Sequence, residues 1–549
     1  MLPLLRLTLL VILCIASVPR TLVAAVAMPD RFSAEVARQV LQDGGNAVDA
    51  AVAAGFTLAV TYPEAGNIGG GGFMTLYMDG EPAFLDFREK APGKAERDMF
   101  LDEGGNFVQR DSLVGGRASG VPGTVRGLWA AHQRFGSLPW ARLLQPAITL
   151  AADGFEVHPD LASAARDTLA EINGDTNFAA YFGNITAGQT FRQPELAATL
   201  KRIAADPGEF YTGETARLLV AQMNRAGGLI SAADLEAYEA VWRAPLSASW
   251  RGYTVITAPP HSSGGIGLIQ LLTMRDHADA LFRDVWHNSP RYLHLLAEIE
   301  KRVFADRAEY LGDPDFIDNP VAQLIDPAYL KRRAAEINPD KLSPADSVAP
   351  GLESTDTTHL SIVDGNNNAV SLTYTLNWDF GSGVVVEGAG FLMNNEMDDF
   401  SAKVGVRNEF GVIGNEKNAI APHKRMLSSM TPTILLKDNV PALVVGTPGG
   451  STIFTSVFQS ILNVYDYGMS PQDAVNATRY HHQLPDATVI RHDQREIPAE
   501  TRSALETMGY QVVPNSWGNL GDVKMIKIDN GKIEAAADNR ARGVALTLP

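Results

Sequence analysis

The first residue able to do chemistry in this chain is a threonine. The stretch Asp356-Thr357-Thr358-His359-Leu360-Ser361 lies deep inside the sequence and opens what reads as a β-hairpin. The flanking residues reveal no Ser-His-Asp set to activate a hydroxyl there. Cleavage of the bond before Thr357 would change this, because the freed α-amine then shares a residue with the hydroxyl and can take its proton. An α-amine has a reference pKa of about 7.7–8.0 and is partly able to accept a proton near neutral pH.

Three further segments carry reactive or binding groups. Asn394-Asn395-Glu396-Met397-Asp398-Asp399-Phe400 holds three acids in a short span. It reads as a solvated turn or a calcium loop, and the missing spaced oxygen ligands and central glycine of an EF-hand weigh against the second. Lys424-Arg425-Met426-Leu427-Ser428-Ser429-Met430-Thr431-Pro432-Thr433 presents paired serines just before a strand, a pattern that also serves as a cap or turn. Gly446-Thr447-Pro448-Gly449-Gly450-Ser451-Thr452-Ile453 places Gly449 and Gly450 at the start of an apparent helix. Backbone N–H groups there would make an anion or oxyanion cradle.

The elements around these segments can be read from pattern. Residues 358–363 alternate as a strand, Asp364-Gly365-Asn366-Asn367 is a strong turn, and residues 369–375 run back. Counting from that turn brings Thr375 and Asn377 within a residue or two of Thr357. Taken alone, this pair also fits solvent-facing positions on an edge strand. Upstream, residues 23–28 form a short strand, Ser33 can cap a helix ending at Gly44-Gly45, and Asn46 caps a second helix over 47–60. That second helix is mostly alanine and valine, which suggests close packing on a sheet. Gly66-Asn67-Ile68-Gly69-Gly70-Gly71-Gly72-Phe73 precedes a strand and lacks a Gly-Lys-Ser/Thr ending, so close backbone approach or packing is favoured over a nucleotide loop. Helical patterns dominate the middle, over 194–205, 214–226 and 291–311. Residues 339–354, rich in proline and serine, form an accessible linker ahead of Thr357. Adjacent His481 and His482 would point to different faces of a helix, which favours packing over a metal site.

Composition sets the class. The chain has 549 residues, 45% hydrophobic and 20% charged, and a net charge of −17 without a basic block. One large layered domain or two smaller ones are expected. Nucleic-acid binding and attraction to anionic membranes are disfavoured. Residues 1–16 resemble an export signal: a basic start through Arg6, an apolar run too short for a stable membrane span, and Cys14-Ile15-Ala16 as a small-x-small cleavage site. A buried first strand is the competing reading. Cys14, the one cysteine, would leave with the signal or, less favourably after the bulky Leu13, carry a lipid. A periplasmic or secreted protein without disulfides follows.

In this order, several motifs resemble the gamma-glutamyltransferases of the N-terminal-nucleophile hydrolase superfamily. They are Gly44-Gly45-Asn46-Ala47-Val48-Asp49-Ala50, Gly69 to Phe73, Asp86-Phe87-Arg88-Glu89, Gly120-Val121-Pro122-Gly123, Ser262-Ser263-Gly264-Gly265, Gly312-Asp313-Pro314, the Thr357 segment, residues 394–400, Leu427-Ser428-Ser429-Met430 and residues 446–450. The resemblance implies an α+β fold, a four-layer αββα sandwich built jointly by a large fragment (17–356) and a small catalytic one (357–549). These would arise by self-cleavage between Asp356 and Thr357 and stay associated. It further implies Thr357 as nucleophile, Thr375 as its orienting partner, and Gly449 and Gly450 as oxyanion donors. Arg88, Ser428 and Ser429 would hold a substrate α-carboxylate; Asn377, Glu396 and Asp399 would hold its α-ammonium. The implied donors are glutathione and other γ-glutamyl compounds, and the acyl group would pass to water or to an amino acid or dipeptide, with neither cofactor nor metal. Glu396 stands where many bacterial relatives have glutamine, and Trp378-Asp379 follows Asn377 where small polar residues are common. Residues 401–426 are long enough for a covering loop with Phe410 as aromatic latch; an ordinary surface loop competes. The alternatives are a glutaryl or cephalosporin-type acylase of the same family, or an inactive exported binding homologue.

Overall fold

The computed structural model describes residues 23–172, 174–344, 357–406, 415–516 and 518–548. The export-signal region with Cys14, most of the linker, Asp356 and Phe410 lie outside the described residues. Six strands of the two main sheets precede Thr357: β1 (Ala24–Met28), β2 (Gly71–Met78), β3 (Glu81–Asp86), β4 (Val241–Arg243), β5 (Leu246–Trp250) and β6 (Tyr253–Thr257). Seven follow it: β7 (Thr358–Val363), β8 (Ala369–Thr375), β9 (Thr433–Lys437), β10 (Val440–Gly446), β11 (Lys524–Asp529), β12 (Lys532–Ala537) and β13 (Val544–Leu548).

Among the described residues these strands make a seven-stranded sheet, β13-β1-β7-β8-β2-β3-β4, and a six-stranded sheet, β12-β11-β10-β9-β6-β5. Neighbours within both sheets are antiparallel. Both sheets combine strands from either side of Thr357, interleaved in the seven-stranded sheet and joined as two blocks in the six-stranded one, so neither side could bury its apolar faces without the other.

The layers follow from strand alternation. Leu360, Ile362, Val370 and Leu372 point away from the second sheet into a core shared with α2 (Ala47–Thr61). Val363 and Ala369, with Ala25 and Ala27, point the other way, against Ile256, Ile434, Val444 and Ile526 of the second sheet. The far face of that sheet, with Leu435, Leu443 and Val445, packs on helices 264–277, 290–310 and 453–465. Helix, sheet, sheet, helix is the resulting stack, an α+β architecture.

The local readings hold with two corrections. Every residue of α2 is buried, and Asn46 forms a reciprocal capping box with Asp49. The cap of the preceding helix, α1 (Arg31–Gln42), is Asp30, not Ser33. Ser33 is its third helical residue, and its N–H donates to the Asp30 carboxylate at 2.8 Å. His481 ends a short strand over Tyr480–His481, not a helix. His481 hydrogen-bonds Thr455 and Gln483, and His482 hydrogen-bonds the Val489 carbonyl, so both are packing residues.

Candidate active site

Thr357 immediately precedes β7 and is 8% exposed. The hairpin register pairs Thr358 with Tyr374; one further step sets Thr357 opposite Thr375. The strands concerned are central, with β1 and β2 on their outer sides, so the edge-strand reading fails. Thr375 also pairs with Gly71 of β2. The glycine run makes that approach possible: a Cβ at Gly70 would lie 1.9 Å from the Thr375 carbonyl oxygen, and one at Gly72 2.4 Å from that of Thr373. Asn67, inside the same run, donates to the Thr375 carbonyl at 2.8 Å and accepts from Gly70 N–H and the Thr124 hydroxyl. The glycines serve close backbone approach.

Beyond β8 the chain turns sharply. Asn377 takes a positive φ of 79°, its N–H donates to the Thr375 hydroxyl at 2.7 Å, and its amide donates to the Asn395 carbonyl at 3.1 Å. Asn394 ties the acid segment to two loops, donating to Gly69 and Gly120 carbonyls and accepting from Gly120 N–H. Asn67, Asn394 and Asn395 were missed as site residues; their only sequence signal is a side-chain amide beside glycine or acid runs.

The three acids are not a solvated turn. Glu396–Asp399 forms one buried 3-10 turn, and Arg88, just past β3, reaches into it. Its guanidinium lies 2.5 Å from Glu396 and 3.5 Å from Glu89, pairs with Asp399, and donates to the Leu427 carbonyl at 3.3 Å. That last contact is to the backbone just ahead of Ser428 and Ser429. Burial works against the Arg88 charge, but Glu396, Glu89 and Asp399 outweigh it and hold the guanidinium protonated. Burial pushes Glu89 up to about 7, with Arg88 opposing. Glu396 is driven well above the usual carboxylate range, again by burial first, against the pull of Arg88. The cation clamp and acid cluster therefore touch, and a zwitterionic ligand would have to exchange for these contacts.

Behind the serines lies a second cation that sequence reasoning did not single out. Arg307 donates to the Ser263 hydroxyl at 2.7 Å, and Ser263 donates through both N–H and hydroxyl to the Ser428 carbonyl. Burial lowers the Arg307 pKa well below its ordinary value, with Asp399 opposing.

At the mouth of the inter-sheet space β10 ends at Gly446, where a Cβ would fall 2.3 Å from the His359 ring. Three residues on, Gly449 and Gly450 take φ values of 129° and 55°, and a 3-10 turn over Gly450–Thr452 leads into the helix Ile453–Tyr465. His359 is no base for Thr357. Its ring nitrogens are engaged by Thr373 and Ser361, and burial, with Lys524 nearby, keeps the imidazole neutral. Among the described residues no group of three or more His, Cys, Asp or Glu could hold a metal ion.

The turn after Thr375, which faces Thr357, thus leads through Asn377 and Asn395 to the buried cluster of Arg88, Glu396 and Asp399. The family profile described as gamma-glutamyltranspeptidase matches residues 33–548. A glutathione hydrolase proenzyme of Pseudomonas aeruginosa is 58% identical over 526 residues, covering 95% of this chain and 94% of that protein. A solved gamma-glutamyltranspeptidase chain from Pseudomonas nitroreducens, complexed with L-DON, is 58% identical and superposes with a TM-score of 0.58, covering 59% of this chain and 97% of its own length. The cephalosporin acylase of Bacillus halodurans, at 27% identity, covers 95% of both chains with a TM-score of 0.82. The chain belongs to the gamma-glutamyltranspeptidase family.

Proposed function

We propose that this protein is a self-processing γ-glutamyltransferase with glutathione hydrolase activity. The observation that carries the proposal is the buried threonine just ahead of a central strand, opposite Thr375, whose hydroxyl accepts from Asn377 N–H while the Asn377 amide donates to the Asn395 carbonyl, at the head of the turn that pairs Glu396 and Asp399 with Arg88.

In the proposed reaction the chain is cut before Thr357, and residues 357–549 then act with residues 17–356. The coverage of the Pseudomonas nitroreducens chain supports two pieces, since its match takes up about the share of this sequence that precedes Thr357. The sheets shared by both pieces give the physical reason the pieces would stay together. Thr357 Oγ attacks the γ-carbonyl of a γ-glutamyl amide while its proton passes to the α-amine of the same residue. The C–N bond breaks, the departing amine takes that proton, and the γ-glutamyl group remains as an ester on Thr357. Water or an acceptor amine then attacks the ester and restores the hydroxyl. Gly449 and Gly450 N–H groups stabilise the tetrahedral oxyanion, a role worth about 3 kcal/mol per donor in a measured protease. Arg88 with Ser428 and Ser429 receives the α-carboxylate, where a planar guanidinium fork suits the anion. Asn377, Glu396 and Asp399 receive the α-ammonium.

Export to the periplasm or exterior is part of this reading, resting on the character of residues 1–16. Among the described residues no helix is long and apolar enough to cross a membrane. The test is replacement of Thr357 by alanine: a single uncut chain without activity is expected, and normal cleavage of that variant would refute the nucleophile assignment.

A further inference from the structure

The Gly449–Gly450 turn is held from within by Thr452, whose N–H and hydroxyl both donate to the Gly449 carbonyl, and from outside by a second segment. Both glycines sit at positive φ, and the nearest backbone to Gly449 outside its own turn is Gly521, whose Cα and N lie 3.2 Å from where a Gly449 Cβ would be. Gly521 itself has a φ of 77°, and a Cβ there would fall 2.5 Å from the Thr447 hydroxyl and 3.0 Å from the Pro448 carbonyl oxygen. Thr447, fully buried, bridges the two segments: its hydroxyl donates to the Pro448 carbonyl at 2.9 Å and accepts from Asp522 N–H at 2.8 Å. The 520–522 segment is fixed in turn by several buried groups: Ser456 donates to the Leu520 carbonyl and Lys524 to that of Asp522. Arg479 donates to the carbonyls of Leu520 and Gly521, pairs with Asp538, and donates to the Val475 carbonyl. Asp538 also accepts from Val523 N–H and from Arg540.

We infer that the Leu520–Gly521–Asp522 segment is a backstop that sets the direction of the Gly449 and Gly450 N–H groups, with Thr447, Gly521 and Arg479 as positioning residues for the oxyanion. This rests on the proposed role of the two glycines as oxyanion donors. A backbone turn of two positive-φ glycines has little intrinsic preference for one orientation, and donors must be fixed before the oxyanion forms to stabilise it. Arg479 adds to that fixity because one planar group holds two successive carbonyls, and Thr447 transmits it through a single hydroxyl. Residues 520–522 would therefore be felt at the reaction centre without touching substrate.

The experiment compares Thr447→Val, Thr447→Ser, Gly521→Ala and Gly450→Ala with the parent enzyme as purified two-fragment protein. It measures kcat and KM for a γ-glutamyl anilide, and affinity for glutamate and for its γ-boronic acid analogue, which forms a tetrahedral adduct on a hydroxyl. Thr447→Val and Gly521→Ala are expected to lower kcat about 10- to 100-fold with KM little changed, and to weaken the boronate but not glutamate. Thr447→Ser, which keeps the hydroxyl, should restore near-parent values even if the valine variant fails to mature. If Thr447→Val and Gly521→Ala leave kcat and boronate affinity intact while Gly450→Ala lowers both, the backstop is wrong and the oxyanion role stands. If Gly450→Ala too is without effect, the oxyanion role itself falls. Equal loss of glutamate and boronate affinity would indicate general disruption of the site and overturn the inference.

Discussion

Removing Arg88 should destabilise the protein in a pH-dependent way. In Arg88→Gln the carboxyls of Glu89, Glu396 and Asp399 stay buried while their shared cation is lost. Breaking a buried pair by deleting one partner costs about 3–5 kcal/mol, because the remaining charge is left uncompensated. For a chain of this size the entropy of unfolding makes 1 kcal/mol worth about 1 °C in thermal midpoint, so a drop of roughly 3–5 °C is expected at pH 8. The sign with pH follows from linkage. Glu89 and Glu396 already have raised folded-state pKa values, so their neutral forms favour the folded state. That contribution is fully present below the unfolded value and is lost as pH rises through the folded one. Loss of Arg88 removes the main force lowering both, so the variant should lose stability more steeply than the parent between about pH 5 and pH 8. Its deficit should therefore shrink at pH 5, where the acids can protonate. Thermal scans at one fixed rate, at both pH values, read this directly. A deficit under about 1 kcal/mol, or one equal at both pH values, would refute the claim that Arg88 neutralises this cluster.

Three further outcomes follow from the same geometry. Binding of an ammonium-bearing ligand at pH 7 should release a fraction of a proton, because Glu89 sits near 7 and Glu396 above its ordinary range; titration calorimetry of glutamate in buffers of differing ionisation enthalpy reads it, and a buffer-independent heat would contradict it. A γ-glutamyl anilide should be preferred over the glutaryl anilide by at least about 100-fold in kcat/KM, since glutaryl leaves the buried acids without an ammonium; parity would move the assignment toward the acylases. Intact-mass measurement and N-terminal sequencing should find a lighter fragment beginning at Thr357 and a heavier one lacking the first residues; a fully active undivided chain would end the self-processing reading.

Much of the site was legible because short-range rules fixed it. The Asp364-Gly365-Asn366-Asn367 turn set the hairpin register, and with it the meeting of Thr357 and Thr375. The alanine-rich character of α2 gave its complete burial, and Asn46 gave its start. Ser33 was misread because a cap and the third residue of a helix are both small and polar, and only backbone geometry separates Asp30 from it. His481 was misread as helical because a two-residue strand leaves no periodic signal.

The amino-acid order alone thus determined the hairpin, the helices that cover it and the groups with chemistry to offer, since each depends on neighbours a few residues away. Tertiary structure decided what those groups do to one another. Arg88 and Asp399 are 311 residues apart in sequence, and only the pairing of both β3 and β8 with β2 in one sheet brings the segments that carry them into one buried cluster. Their charges, the raised carboxyl pKa values around them and the seating of the Gly449 turn on Gly521 exist because burial removes water that would otherwise screen and replace every one of these contacts.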